Sequence, residues 1–251
     1  MLPTIELGPL VIPTGGLVYI LGAWLVLSVV ERSARRLALD VPATYGTVVM
    51  GLAGGFVGAR LVFVALHWEA YAQSPLAILW PLNSGFTVWG GLLIGGAAAF
   101  FYARARQLPP AGTLDALAPG LVVGLMVVSL ADFLAGPGYG SETTLFWAID
   151  LFGVRRHPVQ LYELLVGGLA LVSWWYALRA AWHPGRAFLL TVAVYSAGRL
   201  FVEAYRANAW LTGDGYHVVQ LLCLALLLGS LFLLARTEPV PAGPSPDPDL
   251  E

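Results

Sequence analysis

Apolar residues run along this chain in long blocks, and short polar stretches separate the blocks. Seven blocks approach the roughly 20 residues that a bilayer-spanning helix needs. They cover residues 15–30, 43–67, 86–102, 114–135, 159–180, 187–205 and 218–235. The pattern predicts an all-α integral membrane protein with seven transmembrane helices in one domain, residues 1–238. The Pro- and Asp-rich residues 239–251 are predicted to form a disordered tail.

The first block is predicted to stay in the mature protein as a membrane anchor. It lacks a small-residue cleavage site after its apolar run, and it ends at Glu31 and Arg32. Both features are unlike those of a cleaved secretory signal.

Composition agrees with a membrane protein and excludes several function classes. Hydrophobic residues make up 58% of the chain and charged residues 11%, whereas soluble domains carry about 25% charge. No basic tract is present, so nucleic acid is not an expected partner. The single cysteine, Cys223, allows no intramolecular disulfide and no cysteine-based metal site. Four scattered histidines lack metal-ligand spacing, so neither metal nor cofactor is expected.

Arginine placement predicts the orientation of the helices, because loops on the cytoplasmic side carry more basic residues. All 13 basic residues are arginines. With the N-terminus outside and the C-terminus inside, the inner segments hold most of the arginines: Arg32, Arg35, Arg36, Arg104, Arg106, Arg179, Arg186 and Arg236. Only Arg155, Arg156 and Arg206 fall outside, and Arg60 and Arg199 lie within helices. The tail from 239 would then be cytoplasmic.

In that orientation, the polar side chains of the helices gather near the outer ends. They are Arg60, Trp89, Ser129, Asp132, His157, Gln160, Glu163, Arg199, Glu203 and Gln220. This one-sided distribution predicts a cavity between helices that opens to the outer leaflet or the extracytoplasmic face. A small-molecule transporter would also need polar lining in the inner half of the membrane.

Tyr195, Arg199, Glu203 and Arg206 are spaced to share one face of a helix. Charges at membrane depth cost several kcal/mol unless they are paired or hydrated, so they indicate a functional site. The alternative is that Arg199 and Glu203 only neutralise each other as a structural pair. Arginine offers a fork of donors that fits phosphate.

Two arginines from separate helices, Arg60 and Arg199, suit an anionic lipid headgroup. Glu163 and Glu203 could orient these arginines, or either carboxylate could act as a base. His157 precedes Pro158 at a predicted helix start, so it has either a chemical role or only a capping role.

Several motifs together resemble the prolipoprotein diacylglyceryl transferases of bacteria. Residues 157–163, His-Pro-Val-Gln-Leu-Tyr-Glu, are similar to the family's HPxQLYE, the most specific of these motifs. Residues 195–206 match its YxxxRxxxExxR. Weaker matches are Gly8-Pro9, residues 58–60, residues 89–92 against HGGL, residues 115–119 against DxxAP, and Gln220.

The resemblance implies a reaction and its partners. The family moves a diacylglyceryl group from phosphatidylglycerol to the thiol of a lipobox cysteine in a prolipoprotein, within the bacterial inner membrane. It implies that Arg199 holds the phosphate. Residues that would line the headgroup site are Arg60, Trp89, Gly90, Gly91, Gln160, Glu163, Tyr195, Glu203 and Arg206.

Three departures from the family pattern affect the expected chemistry. The catalytic His of HGGL is Trp89 here, the Arg of GRxGNFxNxE is Ser129, and a Tyr at the outer end of the first helix is Gly15. The chain is therefore expected to be a transferase with a different base, Asp132 or His157. The alternative is a catalytically inactive relative that binds anionic phospholipid as an accessory protein.

Overall fold

The computed structural model describes residues 4–7, 10–78, 85–136, 138–151, 153–180 and 183–236, so the predicted tail lies outside the described residues. Helices dominate this part of the chain. They are α1 (Thr14–Arg36), α2 (Val41–Leu66), α3 (Trp68–Ala72), α4 (Val88–Ala105), α5 (Pro110–Ala135), α6 (Val159–Arg179), α7 (Arg186–Glu203) and α8 (Val218–Arg236). A 3-10 turn covers Pro75–Ile78.

The seven long helices coincide with the seven predicted blocks. Six of them, α1, α2, α4, α5, α6 and α8, are long and apolar enough to cross a membrane. The predicted class of an all-α, multi-pass membrane protein is therefore confirmed. The remaining long helix, α7, carries Arg186, Arg199 and Glu203 within 18 residues.

Two hairpins and the short helix α3 were not among the predicted elements. Strand β1 (Thr4–Leu7) pairs antiparallel with β2 (Leu10–Pro13) before α1. Strand β3 (Ile149–Leu151) pairs antiparallel with β4 (Val154–Arg156) between α5 and α6. Strands of three or four residues carry too little apolar periodicity to be recognised in sequence.

Local interactions set two of the helix ends. The Asp40 carboxylate accepts a hydrogen bond from Ala43 N at 3.0 Å, which caps the first turn of α2. Helix α1 continues six residues beyond its predicted end at 30, because Arg35 pairs with Glu31 one turn earlier at 2.6 Å. Arg35 and Arg36 also lie in its last turn, where cations complement the helix dipole.

The described residues group into two compact units, and the smaller of these comprises residues 27–116. Its helices α2 and α4 approach each other through glycines. A Cβ placed on Gly95 would lie 2.6 Å from Gly51 O and 2.9 Å from Gly55 Cα, so backbone meets backbone. Small residues at a helix–helix contact permit such close packing in lipid. Gly96 is different, because its Cβ would meet nothing within 4 Å.

The other unit takes the chain up to residue 26 and again from 117 onward. Helix α7 packs against both α6 and α8 in this unit. Val159, Val166 and Val202 form a buried apolar cluster where the start of α6 meets the end of α7. This packing brings Glu163 of α6 next to the charged end of α7.

Candidate functional site

Glu163 joins two arginines from the end of α7 and the turn after it. Its Oε1 lies 3.2 Å from Arg199 Nη1 and also contacts Arg206 Nη2. Its Oε2 accepts a hydrogen bond from Ser129 Oγ at 2.6 Å. Both oxygens of this buried carboxylate are therefore engaged, by partners from three separate segments of the chain.

Glu203 completes a group that we call the Arg–Glu cluster: Glu163, Arg199, Glu203 and Arg206. Glu203 Oε2 lies 2.6 Å from Arg199 Nη1 and 3.6 Å from Arg206 Nε. The four side chains are between 1% and 14% exposed, and their formal charges cancel. Buried ions cost several kcal/mol each unless paired, so this pairing explains how α7 carries charge.

The Arg–Glu cluster retains hydrogen-bonding capacity. Arg199 Nη1, Arg206 Nε and Glu203 Oε2 are buried, and none has a hydrogen-bond partner among the described residues. The close approach of Arg199 to Glu203 is thus an ion pair that lacks hydrogen-bond alignment. Guanidinium N–H groups in that condition are donors that an anionic oxygen can satisfy.

Arg206 corrects one expectation from the sequence. Helix α7 ends at Glu203, so Arg206 lies in the following turn and does not continue the helical face. The connector between α5 and α6 holds it there, because Gly140 pairs with Arg206 in an antiparallel bridge. Neighbouring bonds from Ser141 N to Tyr205 O at 2.7 Å and from Ala207 N to Tyr139 O at 3.1 Å extend this pairing.

The same connector also engages Gln160, which is fully buried. Gln160 Nε2 donates to Gly138 O, while its Oε1 has no partner among the described residues. Tyr195 packs against the buried valines that support the start of α6. Gln160 and Tyr195 therefore border the Arg–Glu cluster.

Asp132 lies in the last turn of α5 and is half-buried. A Cβ on Gly138 would lie 3.1 Å from Asp132 Oδ2 and 3.1 Å from Arg206 Nη1. The carboxylate and the guanidinium therefore face the same glycine. Asp132 is thus a partly accessible carboxylate at the edge of the Arg–Glu cluster.

His157 lies in an aromatic environment before α6. Its Nδ1 is 3.2 Å from the hydroxyl of Tyr162, and its ring centroid is 4.8 Å from that of Tyr205. Its imidazole is 9% exposed. His157 therefore contacts two tyrosines and has little exposure to solvent.

Arg60 lies in the 27–116 unit and is buried. Its Nε and Nη2 donate to Ile78 O and Ala77 O at 3.1 Å and 2.6 Å. Its Nη1 is 3.2 Å from both Tyr71 Oη and Gly85 O. These bonds attach the segment after α3 to helix α2, and a role of Arg60 in phosphate binding stays a prediction.

The residues of the HGGL-like stretch also lie in this unit. Trp89 is the second residue of α4 and is 47% exposed. A Cβ on Gly90 would come 2.5 Å from Val62 Cβ, and one on Gly91 would come 3.0 Å from Gly55 O. Gly90 and Gly91 thus allow α4 to pack on α2. Substrate binding by Trp89, Gly90 and Gly91 stays a prediction.

Sequence reasoning missed two contributors to the site. Ser129 was noted as one of the polar residues near the helix ends and as the residue that replaces an arginine, but no role was predicted for its hydroxyl, which supports Glu163. Gly138 was not singled out, although Gln160, Asp132 and Arg206 all approach it. No local pattern marks either residue, because their contacts are distant in sequence. Gly138 lies 22 positions before Gln160, and Ser129 lies 34 positions before Glu163.

Comparisons with known proteins agree on one family. A family model described as prolipoprotein diacylglyceryl transferase matches residues 3–236. A phosphatidylglycerol–prolipoprotein diacylglyceryl transferase of Enterococcus faecalis is 28% identical over 87% of this chain and 84% of its own length. A transferase of the same name from Synechococcus elongatus is 30% identical over 92% of this chain and 85% of its own length. Another from Lactobacillus johnsonii is 30% identical over 71% of this chain and 69% of its own length.

Proposed function

The chain belongs to the prolipoprotein diacylglyceryl transferase family, and from this premise we propose that its Arg–Glu cluster holds the phosphate of phosphatidylglycerol. The protein is a transferase of lipoprotein biosynthesis. It moves the diacylglyceryl group of phosphatidylglycerol to the lipobox cysteine thiol of a prolipoprotein.

The reaction defines what the site has to supply. The cysteine sulfur attacks the glyceryl carbon, a carbon–sulfur bond forms, and the carbon–oxygen bond to phosphate breaks. The bonding electrons leave with the phosphate oxygen, so glycerol phosphate is released. The site therefore needs cations where negative charge grows, and a base for the thiol proton.

The observation that carries the proposal is that Arg199 Nη1 and Arg206 Nε lie beside a carboxylate without an aligned hydrogen bond. Both guanidiniums are buried, and Glu163 and Glu203 hold them in place. An incoming phosphate supplies aligned acceptor oxygens that the carboxylates do not. Gln160 and Tyr195 would border the headgroup.

For the thiol proton we favour Asp132 over His157. Asp132 is partly exposed and approaches Arg206 at Gly138, so it can meet a substrate bound to the Arg–Glu cluster. His157 is buried, and its Nδ1 faces the Tyr162 hydroxyl. The Asp132 carboxylate would then act in place of the family's catalytic histidine, because Trp89 occupies the position of that histidine in the motif.

Asp132→Asn tests this assignment because it keeps the shape of the side chain and removes the base. A general base contributes about 10²- to 10⁴-fold to rate, so kcat should fall by that order while KM for phosphatidylglycerol changes little. Asp132→Glu should restore part of the activity. A larger loss in His157→Gln than in Asp132→Asn would instead assign the base to His157.

We further propose that α7 is the seventh span and that the N-terminus faces outward. Neutral pairing of Arg199 and Glu203 removes the main cost of placing α7 in lipid. The excess of arginines in the inner segments supports this orientation. The Arg–Glu cluster would then face the outer leaflet of the bacterial inner membrane, where the lipobox cysteine of an exported prolipoprotein arrives.

The direct test is thioether formation on a lipobox peptide by purified protein in phosphatidylglycerol vesicles. Arg199→Ala should lower the rate by about 10²- to 10³-fold, as for the loss of one transition-state donor. Arg104→Ala, an exposed arginine at the end of α4, is the matched control and should leave the rate unchanged. Retention of phosphatidylglycerol without turnover would favour the accessory lipid-binding alternative.

A further inference from the structure

The connector between α5 and α6 exposes three large apolar side chains at one turn. Leu145, Phe146 and Trp147 are 37%, 86% and 46% exposed. The rings of Phe146 and Trp147 meet edge to face, with centroids 4.6 Å apart. We call residues 143–148 the aromatic tip. A contiguous exposed apolar patch indicates an interaction surface.

A hydrogen bond fixes the depth of the aromatic tip relative to the membrane. Trp147 Nε1 donates to the Tyr162 hydroxyl at 2.6 Å, and Tyr162 lies in the first turn of α6. Helix α6 has 21 residues, a length of about 31 Å, and the hydrocarbon core is about 30 Å thick. The first turn of a helix that just spans this core lies at its boundary.

The charges around the aromatic tip also suit a lipid surface. Residues 143–148 are all neutral. The exposed Arg155 donates from Nη2 to Leu145 O at 2.7 Å, so a guanidinium lies at the base of the tip. Of the nearby carboxylates, Glu142 pairs with Arg156 at 3.6 Å, whereas Asp150 is exposed on β3. Apolar rings beside an arginine match the boundary between acyl chains and phosphates.

We propose that the aromatic tip inserts into the headgroup boundary of the bilayer and anchors the connector there. Tryptophan and its aromatic neighbours are favoured at this depth because one end of the ring system is apolar and the other forms hydrogen bonds. The same connector pairs with Arg206 through Gly140. Anchoring the tip in lipid therefore steadies the segment that holds one arginine of the Arg–Glu cluster. The insertion itself does not depend on the proposed catalytic role.

Site-directed spin labelling measures this insertion directly. A nitroxide is attached to Phe146→Cys in a Cys223→Ala background, and the protein is placed in vesicles of phosphatidylethanolamine and phosphatidylglycerol. Collision with oxygen reports lipid, and collision with a water-soluble nickel chelate reports water. Asp150→Cys is the matched control in the same connector, and Leu165→Cys on α6, 69% exposed, is the lipid reference.

Insertion predicts a several-fold higher oxygen-to-nickel ratio at 146 than at 150, approaching the ratio at 165. A ratio at 146 equal to that at 150 would place the tip in water and overturn the proposal. An immobile label that neither reagent reaches would show packing against protein and would also overturn it. Trp147→Phe removes the donor to Tyr162, so the label at 146 should become more mobile and more accessible to nickel. An unchanged spectrum would contradict the role of that bond in setting depth.

Discussion

Ser129 donates its hydroxyl hydrogen to Glu163 across 2.6 Å, and both side chains are buried. Ser129→Ala would leave one carboxylate oxygen without this donor, at a cost of about 1–2 kcal/mol. Thermal unfolding in detergent should therefore begin at a lower temperature. Ser230→Ala is the control, because Ser230 is equally buried but bonds only to carbonyls of its own helix. Equal shifts for the two variants would contradict a special role of Ser129.

The contact between Glu163 and Arg206 can be measured by a double-mutant cycle. Glu163→Gln and Arg206→Met each remove one charge from the buried, neutral Arg–Glu cluster, so we expect a coupling energy of about 1–3 kcal/mol. The exposed pair Glu31 and Arg35, only 2.6 Å apart, is the control, with a coupling of about 0.3–0.5 kcal/mol. Thermal unfolding supplies both values. A coupling between Glu163 and Arg206 no larger than that of the control would mean that burial adds nothing.

Residue spacing identified much of the Arg–Glu cluster but not its geometry. The four-residue interval between Arg199 and Glu203 predicts contact on a helix, and they are paired at 2.6 Å. The three-residue interval from Glu203 to Arg206 also predicts a shared helical face, and this prediction is wrong. Helix α7 ends at Glu203, and Arg206 reaches the cluster from the turn that follows. Glu163, the partner across the helices, was predicted either to orient the arginines or to act as a base, but spacing does not say which arginines it contacts. Tertiary packing, which sequence spacing does not encode, brings it to the arginines.

At the scale of elements, two adjacent glycines of α4 have opposite structural roles. Gly95→Ala would force a methyl group to within 2.6 Å of Gly51 O, a backbone atom that cannot rotate away. We expect a loss of about 1–3 kcal/mol, as for other overpacked sites. Gly96→Ala meets open space and should be neutral or stabilise by about 0.5–1 kcal/mol. Thermal unfolding should therefore begin at a lower temperature for Gly95→Ala only, and a matching loss for Gly96→Ala would contradict this account.

Repeated glycines on α2 and α4 are typical of close helix packing, but their spacing does not say which glycines touch. Gly95 and Gly96 are indistinguishable in sequence, and only their angular positions on α4 separate them. Helix existence was predictable because lipid demands long apolar runs. The predicted helix ends differ from the observed ends by up to six residues. The largest difference is at the end of α1, where Arg35 pairs with Glu31 beyond the predicted end.

At the scale of the whole molecule, the connectors are the part that hydrophobic patterning leaves undetermined. The connector from 136 to 158 contains β3 and β4, carries the aromatic tip, and contacts Gln160 and Arg206. The connector contributes backbone atoms to its contacts with Gln160 and Arg206, and backbone atoms are the same in every residue. The sequence therefore located the charged residues in the helices but did not predict the connector that contacts them.

Membrane topology is a property of the whole chain, and one labelling experiment tests both the orientation and the seventh span. Ala105→Cys lies at the exposed end of α4, and Asp214→Cys lies in the exposed connector between α7 and α8. If α7 spans, three crossings separate the two sites, so they lie on opposite sides of the membrane. We expect a membrane-impermeant maleimide to label Asp214→Cys in intact cells and Ala105→Cys only after permeabilisation. The native Cys223 is 6% exposed and should stay unlabelled.

Each alternative arrangement gives its own labelling pattern. Labelling of Ala105→Cys in intact cells with protection of Asp214→Cys would reverse the orientation while keeping seven spans. Labelling of both sites from the same side would mean that only α5 and α6 cross between them, and α7 would then lie outside the bilayer. In that case the burial of the Arg–Glu cluster would come from protein alone, and its access to membrane phospholipid would have to run along the surface.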